Sequence, residues 1–115
     1  MRLRHHRDFF KQAFRLRTEY GQFFFLKVDQ LEQPKIAVLL SKKKHGGAVK
    51  RNHLRRRLRA AFSTVIKSTD TKLEINQLMI AFYPNPRVSE LNHQQLLEIF
   101  GNFLSKATLQ LDRNK

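Results

Sequence analysis

An α+β sandwich is the fold class this sequence predicts, and three stretches predict it. "QFFFLKV", residues 22–28, is dense in aromatics and too short for a helix between Gly21 and "DQLEQP". Residues 48–67, opening "AVKRNHLRRRLRAAF", keep a helical apolar rhythm inside a run of cations. Asn92 with Gln95 three residues later marks a capped helix start, followed by an apolar stripe of Leu96, Ile99, Phe100, Phe103 and Leu104. Counting a short strand in "TEYG", residues 18–21, the order is α-β-β-β-α-β-α. That is about a four-stranded mixed sheet with three helices, in a single domain over residues 1–115 with frayed ends.

Each element has its own justification. In residues 7–17, "RDFFKQAFRLR", Phe9, Ala13 and Leu16 follow one helical spacing and Phe10, Phe14 and Arg17 the same spacing on an adjacent face, so one helix with two stripes is expected. The strand at 22–28 follows, and after Pro34 "KIAVLLSKK" is a second β-rich run, making residues 22–42 a hairpin or meander. "HGG" at 45–47 ends it and frees the backbone for a turn into the basic helix. At about 100° per residue, Leu54, Leu58, Phe62 and Val65 share a narrow sector of that helix, with Ala61 beside them. Asn52, His53 and Arg56 point the opposite way, flanked by Arg55, Arg57 and Arg59. Arg51 lies near the leucine stripe on the wheel but in the first turn, where its side chain can extend past the core. "LMIAFY", residues 78–83, is the last strand, stopped by "PNP". Strand alternation puts Phe24 and Leu26 on one face of residues 22–28 and Phe23 and Phe25 on the other, and leaves open which face is the core.

Composition restricts the function. A chain of 115 residues that is 41% hydrophobic buries one modest core, and ten of its aromatics are Phe. It has no cysteine, which excludes disulfides and cysteine-ligated zinc and suits the cytoplasm. The basic start "MRLRHHRDFF" has no apolar run behind it, and "FFFLKV" is far shorter than the ~20 residues of a membrane span, so the chain is read as soluble and unprocessed.

The net charge is +14 and is concentrated: eleven Lys/Arg and no carboxylate lie between Glu32 and Asp70. Those cations repel one another, and a polyanion is the partner that relieves the repulsion. The nine carboxylates are scattered with no metal-ligand spacing, and the best constellation for independent nuclease chemistry, Asp8 beside His5 and His6, is a poor one. No metal site and no catalytic residue is expected in the chain itself. A basic amphipathic helix also suits an anionic membrane, but here the apolar stripe is needed by the fold.

"SKKKHGGAVKRNHLRRRLRAAF" resembles the signature of the bacterial ribonuclease P protein subunit: Lys-Lys, a small loop, then Arg-Asn-Arg-apolar-basic-Arg-x-apolar-Arg-x-Ala-Phe. Lys42, Lys43, Arg51, Asn52, Leu54, Arg55, Arg56, Leu58, Arg59, Ala61 and Phe62 carry it here. "DFFKQAF" and "PKIAVLLSKK" are similar to the family's first helix and to its strand before Lys-Lys, so the resemblance spans about residues 3–106. The sequence departs at His53, where the family has a second Arg, and at Arg57, where an apolar residue is common.

The resemblance implies a subunit without catalytic residues of its own. It would partner the catalytic RNA of ribonuclease P and precursor tRNA, while the RNA removes the 5′ leader with Mg2+. It implies RNA contacts by Lys42, Lys43, Lys44, Arg51, Asn52, His53, Arg55, Arg56 and Arg59, and a leader site at Phe10, Phe14, Arg17 and Phe24. No membrane and no obligate protein partner are implied. The other reading is a ribosomal or other structured-RNA-binding protein without a role in cleavage.

Overall fold

A computed structural model describes residues 6–68 and 73–113 of the chain. The order is α1 (His6–Gln12), β1 (Phe14–Thr18), β2 (Gly21–Lys27), β3 (Lys35–Val38), α2 (Lys42–His45), α3 (Ala48–Ser68), α4 (Leu73–Asn76), β4 (Leu78–Pro84), a 3₁₀ turn (Pro86–Glu90) and α5 (His93–Arg113). The expected α-β-β-β-α-β-α succession stands, with two one-turn helices, α2 and α4, added to it, but its first strand is residues 14–18 and not "TEYG", whose Glu19 and Tyr20 form the turn between β1 and β2.

The sheet runs β1-β2-β4-β3, so the hairpin or meander expected over residues 22–42 does not form: β4 lies between β2 and β3. β1/β2 and β2/β4 are antiparallel and β3/β4 is parallel, so the sheet is mixed. The long helix α3 makes the crossover that a parallel β3/β4 pair requires. Phe23, Phe25, Ile80 and Phe82 point to the face covered by α3 and α5, and there the core forms. At its centre the Phe23 ring stacks on Phe82 and on Phe103, each at 4.1 Å between centroids. Leu54, Leu58, Ala61, Phe62 and Val65 are the buried residues of α3, the very stripe that its sequence displays. Burying these large apolar groups, about 1.5–3 kcal/mol each, holds in place a helix whose own charges repel. α5 begins as expected: the Asn92 side chain accepts from the Gln95 backbone N–H at 2.9 Å, and the Gln95 side chain accepts from the Asn92 N–H at 2.9 Å.

Two further expectations about local structure fail. The first helix stops at Gln12, and residues 14–18 form a strand instead of its last turns. "FRLRT" alternates apolar and polar as well as it fits a helix, and pairing with β2 decides the matter, with Phe14 opposite Phe25 and Leu16 opposite Phe23. Phe10 and Phe14 therefore share no helical stripe. The second failure is the strand drawn through residue 42. β3 ends at Val38, and Ser41 caps a helical turn by accepting from the Lys44 N–H at 3.2 Å. Gly46 ends that turn at φ +91°, a conformation that favours glycine.

Candidate nucleic-acid interface

The sheet face opposite the core is the one that matters for binding. On β1 it carries Arg15 and Arg17, both exposed. On β2 and β4 it carries Gln22, Phe24 and Tyr83, registered so that Arg15 stands opposite Phe24 and Arg17 opposite Gln22, with Tyr83 beyond Gln22. α1 lies over this face. Its Phe10 ring meets Phe24 edge-on at 5.1 Å and Tyr83 at 6.1 Å, while Phe24 and Tyr83 lie 5.7 Å apart. These three rings make an aromatic floor outside the core. Partial burial raises the Tyr83 pKa above its ordinary value, so the phenol keeps its proton at neutral pH.

The floor belongs to a cleft of about 890 Å³, whose opposite wall is built by Leu39, Leu40, Ser41, Lys44 and His45. His45 fixes that wall to the sheet. Its Nδ1 accepts from the Ser41 N–H at 3.1 Å, which leaves Nε2 as the protonated nitrogen that donates to the Pro84 carbonyl at 2.8 Å. One end of the cleft is closed by the β1–β2 turn. There Asn85 donates to the Glu19 carbonyl at 2.8 Å, and Arg87 sits 5.6 Å over the Tyr20 ring. Gly21 is obligatory in that turn, since at φ +143° an added Cβ would run into the Tyr83 carbonyl oxygen.

α2 and α3 continue from the cleft wall. Lys42, Lys43 and Lys44 are exposed on α2; Asn52, His53, Arg56 and Arg59 are exposed on α3, and Arg51 and Arg55 are half-buried. The Asn52 side chain accepts from Arg55 at 3.2 Å and steadies its guanidinium. Arg57 behaves differently. It donates to the carbonyls of Ser89, at 3.3 Å, and Leu91, so it pins the turn before α5 to α3. That explains a cation where an apolar residue was expected.

Of the four residues expected at a leader site, the structure brings Phe10, Arg17 and Phe24 to the cleft. Phe14 is not among them: its ring lies 5.5 Å from Phe25 and packs against the core. Sequence reasoning missed Gln22, His45 and Tyr83. Tyr83 was findable, because the alternation of a strand puts it opposite in face to Phe82. His45 was not, since its partner Pro84 is 39 residues away. Among the described residues, no group of three or more His, Asp or Glu could hold a metal ion, and no helix is long and apolar enough to cross a membrane.

Fold and surface together define a class: a small α+β protein that presents an acid-free cationic helix and an open aromatic cleft to a polyanion. The family model for Ribonuclease P matches residues 1–108. The ribonuclease P protein from Thermotoga maritima is 26% identical, with a TM-score of 0.70 over 92% of this chain and 96% of that one. The same protein in complex with 1-(4-fluorophenyl)-2-thiourea superposes with a TM-score of 0.68 over 90% and 96% of the two chains, again at 26% identity. The Staphylococcus aureus ribonuclease P protein, at 18% identity, shares the fold with a TM-score of 0.71 over 93% of this chain and 92% of that one. No curated protein sequence matches the chain. The chain belongs to the ribonuclease P protein family, the protein subunits of the ribonucleoprotein endoribonuclease that matures tRNA 5′ ends. Its partner in that ribonucleoprotein is RNA.

Proposed function

We propose that this chain binds the catalytic RNA through α2 and α3 and holds the 5′ leader of precursor tRNA in the aromatic cleft. The observation that carries this is the shared wall: α2, with Ser41 before it, lines the cleft through Lys44 and His45 and leads directly into the cationic helix. An RNA lying on α3 and a single strand lying over Phe10 and Phe24 would thus be neighbours. Asn52, Arg55, Arg56 and Arg59 suit phosphates and sugars, since guanidinium forks make bidentate contacts that lysine cannot. Phe10 and Phe24 offer stacking surfaces for unpaired bases, and Arg17 a cation for the strand's phosphates. In this reading Mg2+ acts with the RNA, and the protein lowers the concentration at which it is needed by adding fixed cations where phosphates converge.

Reconstitution with a bacterial ribonuclease P RNA tests the proposal. The chain alone should leave precursor tRNA intact, while the complex should cleave at lower Mg2+ and bind precursor more tightly than mature tRNA. Equal affinity for precursor and mature tRNA would refute the leader site. Binding of structured RNA with no effect on cleavage would instead point to a different RNA-binding role.

A further inference from the structure

We propose that His45 is a positioning residue for RNA binding: while its ring is neutral it latches the lysine turn α2 to the end of β4, and acid releases that turn. This rests on the reading above that α2 lies against the catalytic RNA. It adds a residue that belongs neither to the cationic face of α3 nor to the aromatic floor of the cleft.

Among the described residues, little else fastens α2 to the sheet. Its four residues bury no side chain: Lys42, Lys43 and Lys44 are exposed, and His45 alone is half-buried. The three lysines repel one another, and the chain offers them no carboxylate between Glu32 and Asp70. The last backbone tie to the sheet before the turn is the Leu39 N–H, which donates to the Phe82 carbonyl at 2.9 Å. Within the turn, Ser41 accepts from the Lys44 N–H on its hydroxyl and from the His45 N–H on its carbonyl, which shapes α2 without attaching it. Attachment comes from the His45 ring, which joins the Ser41 N–H at Nδ1 and the Pro84 carbonyl at Nε2. One side chain thus sets where three lysines stand relative to the cleft.

The ring can do this in one protonation state only. Nδ1 needs its lone pair to accept from Ser41, so a second proton turns that nitrogen into a donor facing a donor. The charged and titratable groups around the ring offer that proton no partner. They are the three lysines on α2, Lys50 on α3, whose stem lies beside Gly46, Arg17 on β1 and the phenol of Tyr83 on β4. Glu19, in the turn that closes the cleft, faces Arg87 at 3.6 Å and does not line the cleft. A protonated His45 therefore loses one bond, joins a cluster of cations and frees α2. The sign is distinctive. Protonating a histidine on an RNA-binding surface ordinarily strengthens binding by adding charge, whereas here it weakens binding by dispersing charges already in place.

Two measurements test the latch. Imidazole nitrogen NMR on the protein alone should show His45 as the Nε2–H tautomer at neutral pH, and a proton on Nδ1 would overturn the proposal. Affinity for a bacterial ribonuclease P RNA is then measured between pH ~7.5 and ~5.5, at ~200 mM salt to damp the gain from added charge, for the wild type, His45→Gln and His45→Phe. Gln does not titrate and keeps an N–H donor for the Pro84 carbonyl. The ratio of wild-type to His45→Gln affinity cancels every other group that titrates, His53 included, and should fall about five-fold from the upper to the lower pH, the weight of one net hydrogen bond. His45→Phe should be weaker than wild type at the upper pH and melt close to it, because α2 gives nothing to the core; if it melts early, the pH dependence of the ratio decides alone. Lys42, Lys43 and Lys44 replaced together by Ala are the comparison and should weaken binding throughout. If they do, but the ratio stays flat or rises in acid, the latch is wrong and the contact of α2 with RNA stands. If the triple variant binds like the wild type, α2 does not touch the RNA and both readings are wrong.

Discussion

Replacing Arg56 and Arg59 together by Ala should change how RNA binding responds to salt without unfolding the protein. Both side chains are exposed on α3, and neither makes a hydrogen bond or ion pair within the described residues. Their removal costs the fold nothing that the structure shows, and it relieves repulsion in a stretch that has no carboxylate from residue 33 to residue 69. Each phosphate contact contributes about 0.7–0.9 to the slope of log affinity against log salt. Two lost contacts make the slope shallower by about 1.4–1.8, and over a fourfold salt change, such as ~50 to ~200 mM, the advantage of wild type over the variant should shrink by about 7–12-fold. Equilibrium binding to the catalytic RNA at four salt concentrations measures this, with a melting curve as the folding control. Leu58→Ala provides the contrast. Leu58 is fully buried at 0% exposure, so that change should cost about 2–5 kcal/mol of stability. An unchanged slope in a folded double variant would refute the assignment of these arginines to phosphates, and a double variant that melts like Leu58→Ala would refute the reading of α3 itself.

Three further outcomes are expected. Phe14→Ala should lower stability by about 2 kcal/mol, less than the ~3–5 of a fully buried Phe, because its ring is half-buried against Phe25; denaturant unfolding measures it, and binding of the folded fraction to precursor and mature tRNA should be unchanged. Arg57→Ala should cost about 1–2 kcal/mol by releasing the carbonyls of Ser89 and Leu91, and leave the salt slope as it is, in contrast to its neighbour Arg56. Asn92→Ala should remove the reciprocal cap of α5 and cost about 1 kcal/mol, read as a lowered melting temperature with no change in RNA affinity.

What the sequence determined by itself follows from period and charge. Leu54, Leu58, Phe62 and Val65 recur at helical spacing, so the buried stripe of α3, and with it the outward set of Asn52, Arg56 and Arg59, could be written down without coordinates. The cap at Asn92 was legible because its partners are three residues apart. The polyanion partner was legible because a carboxylate-free run of cations has no neutral explanation nearby in the chain. Tertiary structure alone decided the rest, where local preference was balanced. "FRLRT" satisfies a period of two or of 3.6, and only the hydrogen bonds of β2 made it a strand, which turned Phe14 inward and Arg15 and Arg17 outward. Alternation in "QFFFLKV" named two faces but not the core, until α3 and α5 covered Phe23 and Phe25 and left Phe24 to the cleft. The cleft itself joins α1, three strands and the α2 turn, tied by His45 to Pro84. Contacts between residues so far apart are set by the packing of whole elements, and no short window of sequence contains them.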